Sequence, residues 1–240
     1  MNDFNNTVGT NAKTDVGLRD FMLGTYRYMM MAMAVTATVA YFFGQYLVAN
    51  PAFVRVIYNP IAAIVMFGVV MFGFGAVGKK LPSMSLGGVV AFLVGFAAFM
   101  GVFMSGIAAF YDPLIIAKIF FMTVAMFAGL SVFGYSTERN LSTYVKYAFI
   151  AFLGYIAINF LGMIFPALRP TGPMDVIINL VALGAIALIT AWETQMLKRV
   201  YYGSAGDPAM AKKLSAFGAA SLLLAFINMF QILLSLFGRE

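Results

Sequence analysis

The chain alternates long apolar stretches with short polar connections. Seven stretches are long enough to cross a bilayer, because a hydrocarbon core of about 30 Å needs roughly 20 apolar residues in a helix. They lie at 26–49, 57–78, 86–110, 114–133, 144–165, 174–196 and 215–237, and we number them spans 1 to 7. Transmembrane strands would instead show segments of about 10 alternating residues. The continuous apolar runs therefore predict an all-α integral membrane protein with seven transmembrane helices.

The connections between the spans carry the residues that favour turns. Examples are "KKLPS" at 79–83, "YDP" at 111–113 and "GSAGDP" at 203–208, which combine glycine, proline, aspartate and serine. Because these connections are short, consecutive spans should be antiparallel neighbours. Residues 1–24 are polar and lack the apolar core of a signal peptide. We therefore predict a disordered cytoplasmic tail at 1–24, followed by a seven-helix domain at 25–240.

Composition supports the membrane class and excludes several chemistries. Hydrophobic residues make up 62% of the chain and charged residues 10%, and the mean hydropathy is +0.92. The absence of histidine and cysteine excludes imidazole and thiolate metal sites and histidine-dependent catalysis. The net charge of +6 lies in the short connections, which indicates an anionic lipid leaflet rather than nucleic acid as the partner. No cofactor is predicted.

Lysine and arginine are distributed unequally between the two sides of the predicted bundle. Eleven of the fifteen lie in or next to the N-terminal tail and the connections after spans 2, 4 and 6, and at most four lie on the other side. Cytoplasmic loops carry the excess of positive residues. The pattern predicts a protein of the cell (inner) membrane with its N-terminus in the cytoplasm and, if span 7 crosses fully, its C-terminus outside.

Span 7 carries a polar stripe that predicts its place in the bundle. Ser221, Ala225, Asn228 and Ser235 recur at heptad-like spacing and share one helical face. In lipid, a face of small and polar residues turns toward other helices. We therefore predict that span 7 is central and that spans 1 to 6 surround it.

An acidic residue, Glu193, lies near the end of span 6. A carboxylate there is either an interfacial group paired with nearby bases or an ionisable group at the mouth of a pathway. Asn179, fourteen residues earlier, falls within about 40° of the same helical face. The possible basic partners of Glu193 are Lys79, Lys80 and Lys198. The residues alone leave both alternatives open, and with them the charge state of the acid.

Three segments resemble motifs of the Bax inhibitor-1 (transmembrane Bax inhibitor motif) family. "AWETQMLK" (191–198) is similar to the sixth-helix motif A-[YW]-D-T-Q-x-[IL]-K. "FINMFQILLSLFG" (226–238) is similar to the seventh-helix ending D-F-I-N-L-F-x-x-L-L-x-x-F-G. "GYSTERNLS" (134–142) resembles the connection between the fourth and fifth helices, which ends K-[RK]-D-L-S. The three occur in the family's order, and the short connections resemble its bacterial branch.

The resemblance implies a fold, a function and a gating group. The implied fold has seven helices with helix 7 in the centre, and the implied function is a calcium leak modulated by pH, with calcium as the permeant ion. In the family, an aspartate of helix 6 and one of helix 7 share a proton in the closed state, because two carboxylates in contact cannot both ionise cheaply. Relatives are also assigned a second role, as non-transporting regulators that bind another membrane protein such as a protease or a cell-death factor. Both functions stay open.

This chain departs from the family pattern at the proton-sharing pair. Glu193 replaces the aspartate of helix 6, Ala225 replaces that of helix 7, and Asn140 replaces an aspartate of the connection. A single carboxylate has no partner with which to share a proton, so the implied pH sensor is incomplete. The residues predicted for the ion pathway and sensor are Glu193, Ala225, Asn228 and Asn179.

Within that set we expect Glu193 to face the bundle interior, against Ala225 or Asn228, and to act as a weak calcium ligand. No catalytic residue is predicted. Rhomboid proteolysis needs a histidine with its serine, and the G-x-G-D motif of intramembrane aspartyl proteases is absent. The sequence therefore favours a channel or a regulator over an enzyme.

Overall fold

A computed structural model describes residues 2–204 and 207–238, with side chains from residue 16 onward. The described part of the chain is helical and contains no strand. Its helices are α1 (Asn2–Ala49), α2 (Pro51–Ile57), α3 (Pro60–Lys80), α4 (Leu86–Phe110), α5 (Pro113–Ser136), α6 (Ser142–Ile164), α7 (Gly172–Gly203) and α8 (Pro208–Phe237), with a 3₁₀ turn at Pro166–Leu168. Seven of these helices are long and apolar enough to cross a membrane. Spans 1 to 7 correspond to α1 and α3 to α8, which confirms the predicted fold class.

Four of the helices begin at a residue whose side chain accepts a hydrogen bond from the first turn. Asn59, Ser85, Asp112 and Asp207 cap α3, α4, α5 and α8 respectively. Such caps satisfy backbone N–H groups that have no partner inside the helix. Proline follows the cap directly in α3, α5 and α8, where its fixed φ suits the first helical position. The turn residues seen in the sequence therefore set these helix starts.

The first helix begins earlier than predicted. α1 runs without a break through residues 16–24, and Leu18, Phe21 and Met22 are buried in the core. The ring of Phe21 lies 5.3 Å from that of Tyr201, because α7 also continues past its predicted edge, to Gly203. Residues 16–24 are therefore helical and carry three buried apolar residues on one helical face, where the sequence analysis placed a disordered polar tail. The side chains before residue 16 lie outside the described part of the chain.

A short helix that the sequence analysis missed joins α1 to α3. α2 spans Pro51–Ile57, and α3 begins at Pro60, three residues later than span 2. The hydroxyl of Tyr58 donates to the carbonyl of Phe103 at 3.0 Å and accepts from the amide of Gly106 at 2.6 Å. These bonds attach the connection to α4.

The last helix is the most buried of the seven candidate spans in the described residues. In its most apolar 18-residue window, α8 has 56% of residues buried, whereas α3 has 0%. α8 packs against α1, α4, α5 and α7, and three alanines of its contact surface, Ala216, Ala219 and Ala220, are fully buried. These contacts support an interior position for α8. A complete ring of six helices around it stays a prediction.

The backbones of α5 and α7 touch near the end of α5. A Cβ atom added to Gly134 would lie 2.9 Å from the carbonyl carbon of Ala191 and 3.0 Å from its Cα. Only glycine permits this approach, because closer packing than about 3.5 Å between carbon atoms is repulsive. The contact fixes α7 two residues before Glu193.

Candidate functional site

Glu193 lies between α7 and α8. The hydroxyl of Ser221 donates a hydrogen bond of 2.7 Å to Glu193 Oε1. Glu193 Oε2 is buried and has no hydrogen-bond partner among the described residues. The carboxyl group thus faces the helix bundle rather than the lipid headgroups, and one of its two oxygens is left without a donor.

The partner of Glu193 differs from the predicted one. We expected Ala225 or Asn228, but the contact is with Ser221, one helical turn before Ala225. Ala225 is buried and adds only a methyl group there, and the amide of Asn228 donates to the carbonyl of Leu224 on its own helix at 2.9 Å. The polar stripe of α8 therefore meets Glu193 one turn closer to the start of α8. Sequence periodicity identified the face of α8 but could not fix the register between two helices.

Asn179 does not join this site. It lies fourteen residues before Glu193 in α7, which is about 21 Å along a helix. Its amide donates to the carbonyl of Asp175 at 2.8 Å, and its Oδ1 accepts from the hydroxyl of Tyr155 at 3.4 Å. The residue joins α6 to α7 at the far end of the bundle.

The three lysines considered as basic partners do not bind Glu193. Lys198 Nζ lies 3.5 Å from the carbonyl oxygen of Tyr135 and 5.3 Å from the centre of the Tyr135 ring. Lys79 and Lys80 are exposed at the end of α3, and Glu193 Oε2 accepts no hydrogen bond within the described residues. The alternative of an interfacial carboxylate paired with bases is therefore not observed.

A cavity of about 350 Å³ opens beside Glu193, between α3, α7 and α8. Its walls are mainly apolar and include Gly78 of α3, Trp192 of α7 and Phe217 of α8. The polar side-chain groups of the lining residues are the carboxyl of Glu193, the hydroxyl of Ser221 and the indole N–H of Trp192. The cavity gives the acid a space that packed side chains do not fill.

A set of hydrogen bonds that the sequence analysis missed holds α7 against the connection between α5 and α6. Gln195 is buried, and its Oε1 accepts from the backbone amide of Leu141 at 3.1 Å. Its Nε2 donates to the carbonyl of Arg139 at 2.8 Å. One glutamine side chain thus satisfies two backbone groups of the connection.

Arg199 and Trp192 extend this set of contacts. Arg199 Nη2 donates to Asn140 Oδ1 at 2.8 Å, and Nη1 donates to Ser142 Oγ at 3.1 Å. The indole of Trp192 donates to the same Ser142 oxygen at 3.2 Å. We call Asn140, Ser142, Trp192, Gln195 and Arg199 the α7 clasp. The sequence segments 134–142 and 191–198 therefore lie against each other. In the sequence, the hydrogen-bonding side chains of Trp192 and Gln195 at the end of an apolar span were the features that could have indicated this contact.

The site is not a preformed metal cage. No group of three or more acidic side chains that could hold a metal ion occurs in the part of the chain that the structure describes. Calcium takes six to eight oxygen ligands, and Glu193 and Ser221 contribute at most three. Ion contact at Glu193 would therefore be weak.

Seven apolar helices with one acid buried between the last two define a multi-pass α-helical membrane protein. Residues 18–240 match the family described as inhibitor of apoptosis-promoting Bax1. The chain therefore belongs to this family, which confirms the resemblance to the Bax inhibitor-1 motifs.

Bacterial relatives match over almost the whole chain. An uncharacterized protein of Caulobacter vibrioides is 28% identical, over 99% of this chain and 98% of the relative. The uncharacterized protein RP147 of Rickettsia prowazekii is 29% identical, over 100% and 99%. The inner membrane protein YbhL of Escherichia coli is 26% identical, over 93% of each chain. The name of the Escherichia coli relative gives a membrane location for that protein, and none of the three names gives an activity.

Proposed function

We propose that the protein is a passive cation leak pathway, with calcium as the main permeant ion and Glu193 as the group that attracts it. The observation that carries the proposal is the buried Glu193 carboxyl, which is bonded to Ser221 through one oxygen and has no partner among the described residues at the other. An ionisable group inside a membrane protein is costly and usually serves a pathway.

The weakness of the site is suited to passage. A conducting pathway must bind an ion well enough to admit it and weakly enough to release it. Glu193 supplies a negative charge when it is ionised, Ser221 supplies a hydroxyl oxygen, and the adjoining cavity provides room for water. Asn228 continues the polar face of α8 beyond Ser221. The pathway we propose follows this face.

The proposed leak depends only weakly on pH. Ala225 offers a methyl group where the family carries the second acid, so no pair of carboxylates can share a proton here. Flux should follow a shallow dependence typical of one group, or none, between about pH 6 and pH 8.

The proposed orientation places Glu193 near the cytoplasmic end of the pathway. The excess of lysine and arginine on that side of the spans supports it, and a relative is named an inner membrane protein. Cysteine labelling tests the orientation, because the chain has no cysteine of its own. An impermeant thiol reagent should label Arg239→Cys from outside and Lys79→Cys only from the cytoplasm. Labelling of both variants from one side would show that α8 does not cross.

A second candidate function is a regulator that binds another membrane protein. Two observations favour it: the acid pair is incomplete, and α3 has no buried residue along its length, which leaves an apolar helix available to a partner. The flux experiment separates the two functions.

Calcium entry into proteoliposomes tests the leak. The protein should admit calcium above the rate of empty vesicles, and Glu193→Gln should lower the rate about tenfold, because the amide keeps the shape of the side chain and removes its charge. Asn159→Gln, on the exposed side of α6, serves as the matched control and should leave the rate unchanged. Equal rates for the protein and for empty vesicles would contradict the leak and favour the regulator.

A further inference from the structure

The cavity beside Glu193 has the make-up of a site for a small organic molecule. Its volume is about 350 Å³, and apolar groups from α3, α7 and α8 form most of its wall. Ligand sites of this kind begin at roughly 300 Å³ and combine apolar walls with a few polar groups. Glu193 and Ser221 are such polar groups. A bare ion would contact these two residues and leave most of the apolar wall without a contact.

The unpartnered oxygen of Glu193 defines the charge of a suitable ligand. Ser221 serves Oε1, whereas Oε2 is buried without a hydrogen-bond donor in the described residues. A lone carboxylate in apolar surroundings is costly unless a cation and a donor accompany it. Lys198 and Arg199 are engaged by Tyr135 and by the α7 clasp. The ligand itself would therefore supply the counter-charge.

Two aromatic rings in the wall also favour a cation. Trp192 and Phe217 both line the cavity, and the faces of aromatic rings attract ammonium groups. Each ring has a further contact that restrains it. The indole donates to Ser142, and Phe217 stacks on Phe92 with ring centres 6.2 Å apart. The rings therefore stay in place as walls.

We propose that this cavity binds an organic ammonium ion with an apolar body. The ammonium group pairs with Glu193 and lies near the two rings, and the apolar body fills the space toward α3. A hydrated metal ion would use the carboxylate and leave the apolar walls in contact with water. The proposal goes beyond the cation leak and does not depend on it, because ligand binding is measured without calcium and without a membrane gradient.

The single tryptophan makes occupancy of the cavity directly measurable. Trp192 is the one tryptophan of the chain, and nitroxides quench tryptophan fluorescence on contact. Two nitroxides of nearly the same shape are the probes: 4-amino-TEMPO carries an ammonium group and 4-hydroxy-TEMPO is neutral. With the purified protein, 4-amino-TEMPO should quench saturably, with half-saturation at about a tenfold lower concentration than 4-hydroxy-TEMPO, because hydrogen bonds to a charged group are the stronger ones.

Two substitutions locate the binding. Glu193→Gln should bring both nitroxides to the same half-saturation, because the charge is removed and the cavity kept. Gly78→Leu should abolish saturable quenching by both. A Cβ at Gly78 lies 3.6 Å from Phe217 Cζ, so it fits and a longer side chain extends into the cavity. Gly75→Leu, on the same helix with nothing within 4 Å of its Cβ, is the matched control and should behave as the unchanged protein.

Quenching measurements on the protein without substitutions are sufficient to overturn the proposal. Quenching that rises linearly and equally with both nitroxides would show that neither occupies the cavity. Saturable quenching without preference for the amine would show an apolar site that Glu193 does not serve. The Gly78→Leu result decides the location even if Glu193→Gln fails to fold.

Discussion

α8 and α3 are almost equally apolar, and they occupy opposite environments. The mean hydropathy of the most apolar window is 2.1 for α8 and 2.3 for α3, yet 56% of the α8 window is buried and none of the α3 window is. The buried face of α8 combines small residues such as Ala216 and Gly218 with large ones such as Leu222, whereas α3 presents large exposed side chains such as Phe72 and Ile61. Small residues let helix backbones approach in lipid. Hydropathy alone therefore does not distinguish the packed helix from the exposed one, and small residues such as Ala216 and Gly218 provide the close contacts of α8.

The largest expected difference between packed and exposed regions concerns a glycine in each. Gly134→Leu should lower the free energy of unfolding in detergent by more than about 3 kcal/mol, because its Cβ would overlap the backbone of Ala191. Gly75→Leu in α3 meets open space and should cost nothing. Thermal unfolding of the two purified variants measures the difference. Equal stability of both would show that α5 and α7 are not in backbone contact.

A smaller loss is expected at the α7 clasp. Gln195→Leu removes the partners of the Leu141 amide and the Arg139 carbonyl. The buried Leu141 amide left unpaired costs about 1–3 kcal/mol, and the carbonyl of the exposed Arg139 costs less because water can reach it. We expect a destabilisation of about 2–4 kcal/mol in total. Asn159→Leu is the control, since Asn159 is exposed and bonds only to the carbonyl of Tyr155 one turn away. Denaturant unfolding compares the two, and a neutral Gln195→Leu would contradict a structural role for the clasp.

The smallest change in structure adds one carboxyl group to α8, and its effect is expected on calcium flux rather than on stability. Ala225→Asp places a second acid one helical turn after Ser221 on the buried face of α8. Two carboxylates in contact resist joint ionisation, so calcium flux should become steeply dependent on pH, and a pair of oxygen ligands should hold calcium better. Flux into proteoliposomes at several pH values measures both effects.

The control for that experiment removes the first acid. In the double variant Glu193→Gln with Ala225→Asp, the pair is again incomplete, and the steep pH dependence should disappear. If the unchanged protein is already steeply gated and Glu193→Gln leaves that gating intact, then Glu193 is not the sensor.

The sequence predicted what depends on local chemistry. The apolar lengths count the spans, and α5 begins at Pro113, one residue before the predicted start of span 4. α8 instead begins at Pro208, seven residues before the predicted start of span 7, because Asp207 caps a first turn that is too polar for the apolar pattern to include. The polar stripe of α8 includes Ser221, which bonds to Glu193, and Ala225, which is buried. Such features are encoded within one helix, so a pattern along the chain reveals them.

The sequence did not predict what depends on two segments meeting. The acid contacts Ser221 and not Ala225 or Asn228, because the register between antiparallel helices is set by packing over their whole length. Residues 16–24 of α1 meet a distant segment, since Phe21 packs on Tyr201 of α7. Polar residues alone suggested a tail there, since hydropathy cannot show that a partner covers the apolar ones.

The α7 clasp has a consequence for the rotation of α7 about its own axis. Successive residues of a helix are 100° apart, so Gln195 and Glu193 project about 200° from each other around the axis. With Gln195 fastened to the connection between α5 and α6, Glu193 has only the opposite direction left, which is that of α8. The clasp thus determines which helix the acid faces.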